Sequence, residues 1–329
     1  MGKGERWLVT GASGFVGSAL CQTIISQGGR VRALSRRQQP GPWDEQVVCD
    51  LGTDPIPDAA CAGVSGIFHL AGIAHTPDSV QLPDADYWRV NLEGTRRIIA
   101  AAEAAGVARL VYFSSVKATA DPGARCVDEW WDEPPTDAYG LSKRKAEDLV
   151  LSAHGRTGMH AVVLRPTLVY GPGVKGNLLR MLTAVARGRF PPIAESGNRR
   201  SLVSVSDLAG AAWLAMRQDQ AGGRLYLVAD GIDYSTRSIY EAMSKVLGRP
   251  LPGWSVPTSA LRLVGEIGDV IQRLARRRLP LNNAVVRRLT GSACYRADRL
   301  RGELGWAPED SLTSSLPVMV SRAREDGLL

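Results

Sequence analysis

Thr10-Gly11-Ala12-Ser13-Gly14-Phe15-Val16-Gly17 follows a short apolar run, Trp7 to Val9, and opens into a helix-like segment from Phe15 to Gln27. Strand, glycine turn and helix in that order make a dinucleotide site. Gly11 permits the tight turn, Gly14 lets the backbone approach a pyrophosphate, and Gly17 lets the helix pack closely on the strand. Ser13, Phe15 and Val16 complete the turn, where phosphate charge meets free N–H groups of the helix N-terminus. The spacing is G-x-x-G-x-x-G rather than G-x-G-x-x-G, and the chain holds 35 glycines. Position between a strand and a helix, not the glycines alone, decides for a binding site.

Val31 to Leu34, Val47 and Val48, Ile67 to Leu70, Leu110 to Phe113 and Val162 to Leu164 read as strands separated by helical stretches. This alternation predicts an α/β fold, a doubly wound parallel sheet of Rossmann type with a smaller C-terminal substrate-binding lobe. Tyr87 to Ala105, stopped by Gly106, and Tyr139 to Leu151 are the strongest helices. After about Pro166 proline and glycine cluster at Gly171-Pro172-Gly173 and Pro191-Pro192. Residues 1–166 are therefore expected as the dinucleotide-binding domain and 167–329 mainly as the substrate-binding lobe. Leu202 to Val205 and Leu225 to Val228 are strand-like again, so segments around 202–228 are expected to return to the first domain.

The 329 residues, 44% apolar and 22% charged, have a globular composition and are enough to bury a full core. No apolar run approaches the ~18 residues a membrane span needs. Met1 to Arg6 leads directly into strand and glycine turn without a signal-peptide pattern, so a cytoplasmic location is expected. Cys21, Cys49, Cys61, Cys126 and Cys294 are scattered, odd in number and without C-x-x-C spacing. They are expected as reduced core thiols rather than disulfide partners or zinc ligands. His69, His75, His154 and His160 include no pair at metal-site spacing, so no metal is expected.

The net charge of +7 admits nucleic acid, anionic lipid or a phosphorylated substrate, and its distribution must decide. No nucleic-acid motif or interleaved aromatic pattern is present, so no nucleic-acid partner is expected. Arg273, Arg276, Arg277 and Arg278 end an otherwise apolar helical segment, Leu261 to Leu274, and Arg287-Arg288 follow. The expectation there is a solvated basic edge with its apolar residues turned inward, without stable membrane association.

Tyr139 and Lys143 are four residues apart, hence on one face of one helix. A phenol with a pKa of about 10 is a poor acid or base at neutrality, and a nearby cation favours its phenolate. Phe113-Ser114-Ser115 ends a strand 24 residues before Tyr139 and offers a hydroxyl for a shared carbonyl oxygen.

With the glycine turn, these residues resemble the short-chain dehydrogenase/reductase superfamily, specifically its extended branch of nucleotide-sugar epimerases, dehydratases and reductases. The resemblance runs nearly end to end. It rests on Thr10 to Gly17, Asp50-Leu51, His69-Leu70-Ala71-Gly72, Asn91, Ser115, Tyr139 with Lys143, and Leu164-Arg165-Pro166 leading to Val169-Tyr170-Gly171-Pro172. It implies that Ser115 orients the reacting oxygen, Tyr139 exchanges its proton, and Lys143 lowers the phenol pKa while binding the nicotinamide ribose. It also implies that Asp50 with Leu51 faces adenine, that Leu70, Ala71 and Gly72 line the cofactor, and that Asn91 and Pro166 belong to the same site. Ser114 is the alternative to Ser115, since the Tyr and Gly that follow the serine in many relatives are absent from Ala118-Thr119-Ala120.

The second strand ends in Ala33-Leu34-Ser35-Arg36-Arg37, without the acid that an NAD-selective site uses on the ribose hydroxyl. Arg36 can bind a 2′-phosphate, so NADP is favoured and NAD is the alternative. Asn177 and Arg200, within Gly173 to Asn177 and Asn198 to Ser201, look like the segments that hold a nucleotide sugar in UDP-4-keto-6-deoxy-hexosamine reductases and UDP-hexosamine 4-epimerases. The reading that follows is reduction of a UDP-linked 4-keto-sugar in surface-polysaccharide synthesis, with a C4 epimerase that keeps NAD bound as runner-up. A dehydratase would carry Asp-Glu where Val116-Lys117 stand, and a redox-sensing regulator is disfavoured by the intact Tyr139 and Lys143. The resemblance further implies a homodimer through the helices at Tyr87 to Ala105 and Tyr139 to Leu151.

Overall fold

The computed structural model describes residues 4–74, 82–275 and 282–329. In chain order its first half contains β1 (Arg6–Thr10), α1 (Phe15–Ser26), β2 (Arg30–Ser35), β3 (Glu45–Val48), α2 (Asp58–Cys61) and β4 (Gly66–His69). There follow α3 (Asp84–Tyr87), a π-helical turn Trp88–Glu93, α4 (Gly94–Ala104), β5 (Arg109–Phe113), β6 (Cys126–Val127), α5 (Ala138–Thr157) and β7 (His160–Pro166). The second half contains β8 (Leu168–Tyr170), α6 (Gly176–Ala186), β9 (Arg200–Ser204), α7 (Val205–Arg217), β10 (Leu225–Val228) and β11 (Asp233–Tyr234). It closes with α8 (Thr236–Val246), α9 (Thr258–Ala275), α10 (Asn283–Thr290), β12 (Cys294–Tyr295), α11 (Asp298–Leu304) and α12 (Leu312–Glu325).

Seven strands form one parallel sheet in the order β10-β7-β5-β4-β1-β2-β3. Connections run outward in both directions from β1, so a crevice opens between the carboxyl ends of β1 and β4, where an open α/β sheet binds its ligands. Alternate strand residues feed cores on the two faces, as a doubly covered sheet requires. Trp7, Val9, Val111 and Leu164 join one core with α1 and α7, while Leu8, Leu110, Tyr112 and Val163 join another with α4 and α5. A third core contains Tyr170, Leu182, Leu202, Met243 and Leu316, drawn from the second half of the chain.

Leu225–Val228 pairs with β7 at the sheet edge, but Arg200–Ser204 lies in a separate three-stranded sheet, β11-β9-β8. Its partner β8 follows β7 after a single residue, Thr167, which turns the chain out of the large sheet. Two further expectations fail. Cys21, Cys49 and Cys61 are buried and free, yet Cys126 and Cys294, 168 positions apart, are joined as a disulfide. Only the pairing of β6 with β12, which sets these cysteines directly opposite each other, reveals it. The apolar residues of α9 do not turn inward as a set. Leu261 is buried, but Leu263, Val264, Ile267 and Ile271 are exposed. Arg276, Arg277, Arg278, the side chain of Arg273, and His75 lie outside the described residues.

Candidate active site

The glycine turn sits in the crevice. A Cβ on Gly11, whose φ is +71°, would stand 2.9 Å from the Ala71 nitrogen, and one on Gly17 would stand 2.2 Å from the Gly11 oxygen. Both glycines thus permit backbone-to-backbone contact that no side chain allows. Gly14 caps α1 without a side-chain hydrogen bond, and the first turn carries no acid. The helix N–H groups are left for an anion. Ser13 and Gly14 are exposed, with Phe15 and Val16 half-buried behind them. This donor set fits the pyrophosphate of a dinucleotide.

The facing wall is the segment after β4. The Ala71 N–H donates to Thr10 Oγ1 at 3.0 Å, tying Leu70-Ala71 to the end of β1. Asn91, in the π-helical turn, is buried and holds the next residues. Its Oδ1 accepts from the Ile73 N–H at 2.7 Å, and its Nδ2 donates to the Ile73 carbonyl and to Ser142 Oγ, both at 3.1 Å. A Cβ on Gly72 would stand 2.8 Å from Asn91 Oδ1 and 3.6 Å from Lys143 Nζ, so the wall runs up to the lysine.

Tyr139 and Lys143 lie on the buried face of α5. Asp137 caps this helix by accepting from the Gly140 N–H at 2.9 Å. A Cβ on Gly140 would stand 2.4 Å from the Lys117 carbonyl oxygen, so this glycine lets α5 close against the segment that carries Ser115. The Tyr139 ring packs edge-on against Tyr87, centroids 5.9 Å apart. Lys143 Nζ donates to the Phe113 carbonyl at 2.7 Å and to Tyr112 Oη at 3.1 Å. Burial pulls its ammonium down to about 8, opposed by the charge of Glu147.

The two serines differ. Ser114 is buried and its hydroxyl donates to Glu147 Oε1 at 2.5 Å, while Glu147 takes a two-pronged ion pair from Arg165 at 2.8 and 2.6 Å. Ser115 is half-buried, and its Oγ accepts from the Lys117 N–H at 3.1 Å.

Behind Lys143 runs a buried chain of hydrogen bonds. Tyr112 is bonded to Thr95, whose Oγ1 donates to the Asn91 carbonyl at 2.6 Å. Because that proton is committed, His69 Nε2 must donate to Thr95 Oγ1, at 2.9 Å. His69 Nδ1 then accepts from Thr10 Oγ1 at 2.7 Å. Burial, with Lys143 nearby, holds His69 neutral, its pKa pulled down to about 3.

Arg36 is exposed at the end of β2 and makes no ion pair or hydrogen bond among the described residues. Asp50 Oδ1 accepts from the Gly52 N–H at 2.8 Å, and Leu51 beside it is buried. Pro166, half-buried, ends β7. On the second-lobe side Asn177 is exposed in the first turn of α6. Arg200 spends its guanidinium on the carbonyls of Arg288 and Gly291 and on Thr236 Oγ1, the last two at 3.0 and 3.3 Å. Desolvation lowers its pKa.

Gly140, Tyr112, Thr95 and Glu147 carry no role in the sequence reading. Gly140 could have been found, since a glycine directly after the tyrosine at a helix start signals close approach. For the others only their tertiary neighbours give the signal. Among the described residues Cys126, Asp233 and Cys294 form a trio of metal-ligand types, and its two sulfurs are bonded to each other.

The model of the NAD dependent epimerase/dehydratase family matches residues 7–229. The UDP-glucose 4-epimerase of Vibrio cholerae is 28% identical over 311 residues, covering 93% of this chain and 91% of its own length. A 4-hydroxy-2-methyl-3-oxo-4-farnesyl-3,4-dihydroquinoline-1-oxide ketoreductase of Stigmatella aurantiaca is 29% identical over 316 residues, covering 92% of each. MoeE5, solved with UDP-glucose and NAD, superposes with a TM-score of 0.75 at 25% identity over 98% of this chain and 99% of its own. The chain belongs to the NAD dependent epimerase/dehydratase family and is an NAD(P)-dependent enzyme of the extended short-chain dehydrogenase/reductase type.

Proposed function

We propose that this enzyme is an NADP-dependent reductase of a UDP-linked 4-keto-sugar, of the kind used in surface-polysaccharide synthesis. The observation that carries the reading is Arg36, exposed and unpaired among the described residues at the end of β2 where an NAD-selective site would hold an acid. UDP-glucose bound beside NAD in MoeE5, and the sugar-nucleotide activity of the Vibrio relative, support the substrate class. A bound nicotinamide dinucleotide supplies the hydride.

The chain's own residues handle the proton. Tyr139 donates it to the oxygen of the reacting carbonyl, and Ser115 hydrogen-bonds that oxygen as charge develops. Ser115 suits this role better than Ser114, whose hydroxyl is committed to Glu147. Lys143 presents a cation to the phenol, fixed by Phe113 and Tyr112 with its third N–H left for the cofactor ribose. Gly11, Ser13, Gly14, Phe15, Val16 and Gly17 hold the pyrophosphate. Leu70, Ala71 and Gly72 form a wall that Asn91 clamps to α5, and Asp50 and Leu51 lie toward adenine with Pro166 at the nicotinamide end. Asn177 and Arg200 serve the sugar nucleotide, Arg200 by fixing the start of β9. The chain pairs as a homodimer through α4 and α5.

Denaturing the purified protein and identifying the released nucleotide tests the reading. Protein that is free of nucleotide, binds NADPH and oxidises it on adding a UDP-4-keto-6-deoxy-hexosamine fits the reductase. Stoichiometric NAD, with no net oxidation, would replace it by a C4 epimerase.

A further inference from the structure

Gln46 lies on β3, the edge strand of the large sheet, in register with Ala33 of β2. Its amide reaches diagonally across the strand pair to the end of β2. Nε2 donates to Ser35 Oγ at 2.6 Å and to the Arg37 carbonyl at 2.7 Å, and Oε1 accepts from the Gln39 N–H at 3.2 Å. These partners leave the amide one orientation, because the Arg37 carbonyl can only accept and the Gln39 N–H can only donate. Ser35 Oγ donates to the same Arg37 carbonyl at 3.1 Å. The residues on either side of Arg36 are thus bonded to one another, while Arg36 itself is exposed.

Residues 36–44 belong to no helix or strand, and a surface loop of that kind is ordinarily mobile. This one is held at both ends. At the far end Asp44 Oδ2 accepts from the Val31 N–H at 2.8 Å and the Asp44 N–H donates to the Val31 carbonyl at 2.9 Å. At the near end the Gly11 N–H donates to the Leu34 carbonyl at 3.3 Å, which joins the end of β2 to the glycine turn. A ligand that must order both a loop and a guanidinium loses affinity to both, whereas a loop fixed beforehand leaves only the side chain to be ordered. An amide suits the position. A carboxylate there would turn an acceptor toward the Arg37 carbonyl and set a negative charge beside Arg36.

We propose that Gln46 is a positioning residue for cofactor selectivity, holding the Ser35–Gln39 turn in the shape that presents Arg36 to the 2′-phosphate of NADP. The inference rests on the reading of Arg36 as the ligand of that phosphate, and Gln46 acts through it.

Wild type, Gln46→Met, Arg36→Ala and the double variant are titrated with NADPH and with NADH. Gln46→Met keeps the length and neutrality of the side chain and removes its three hydrogen bonds. NADPH affinity is expected to fall about tenfold and NADH affinity to stay within about twofold. In the Arg36→Ala background Gln46→Met should cost NADPH nothing further, since the group it positions is gone. Ser35→Ala removes two of the four bonds at an independent site and should shift the preference the same way by a smaller factor. Equal losses for both cofactors, or an undiminished effect of Gln46→Met in the Arg36→Ala background, would overturn the proposal. A wild type that prefers NADH defeats the reading of Arg36 and this inference with it. A wild type that prefers NADPH, with the ratio unchanged in Gln46→Met and Ser35→Ala, removes the role of Gln46 alone.

Discussion

Glu147 follows Lys143 by one turn on the buried face of α5, where burial pulls the Lys143 ammonium down to about 8 and the Glu147 charge opposes a further fall. The same carboxylate holds Ser114 and Arg165, so one buried group ties the end of β5, helix α5 and β7 together.

Glu147→Gln removes that opposing charge. Lys143 then loses its proton at lower pH, and the descending limb of kcat/KM, set by the free enzyme, moves to the acid side of its wild-type position near 8. Arg165 is left buried without its partner, at a cost of about 3–5 kcal/mol. Glu147→Asp keeps the charge and should restore the limb more than the stability. A pH profile of kcat/KM and urea melts of both variants check this, and an unchanged limb in Glu147→Gln would refute the coupling.

His69 makes the fold sensitive to acid. Its pKa of about 3 in the folded chain lies below the ~6.5 of an unfolded histidine, so between these values the unfolded state binds the extra proton. The stabilisation is complete above about pH 6.5 and is lost as the pH falls toward 3, summing to roughly 4–5 kcal/mol. His69→Gln should be less stable at neutrality by about 1–3 kcal/mol through its imperfect hydrogen bonds, yet lose less on acidification. Melting temperatures from about pH 7 to pH 4 measure the slope. A slope equal to that of the wild type would place the acid sensitivity elsewhere.

Tyr139→Phe keeps the ring that packs on Tyr87 but removes the proton. Turnover should fall by about 10² to 10⁴ with little change in cofactor affinity. Lys143→Met should instead weaken cofactor binding and move the pH profile of activity to higher pH, because the phenol loses its neighbouring cation and keeps its proton further into the alkaline range. Steady-state rates on a UDP-4-keto-sugar, with cofactor titrations, separate the two effects. Near-wild-type turnover in Tyr139→Phe would leave the proposed reaction without its acid.

Arg36→Asp places a carboxylate where the structure shows an exposed guanidinium. Attraction for a 2′-phosphate becomes repulsion, and each 1.4 kcal/mol of difference is about tenfold in affinity. Isothermal titration should show NADP bound more tightly by the wild type and NAD by the variant. A wild type that already prefers NAD would defeat the assignment.

What was legible in the sequence is what the backbone makes local. Gly11, Gly14 and Gly17 advertise a turn because the contacts they permit lie within a few residues or at the next strand end. Tyr139 and Lys143 share a face because helical spacing leaves no choice. A parallel sheet covered by helices follows from alternating elements. Contacts between distant segments were not legible. Ser114, Glu147 and Arg165 meet across 33 and 18 positions; Ser114 reads as an alternative hydroxyl and Arg165 as part of a motif, but nothing in the sequence joins either to Glu147. Cys126 and Cys294 are scattered in sequence and become partners only when β6 and β12 align. In α9 the apolar period was visible, but period shows that a face exists, not which side the rest of the molecule covers.

The Cys126–Cys294 bond turns much of the chain into a covalent ring. The glycine turn and the first five strands lie on the tail outside it, while α5 with Tyr139 and Lys143, β7, and β9 with Arg200 lie on the circumference. A single cut of the backbone within the ring would therefore release nothing. The helix that holds the phenol and the strand that begins at Arg200 would travel together until a reductant opened the link, whatever became of the packing between them.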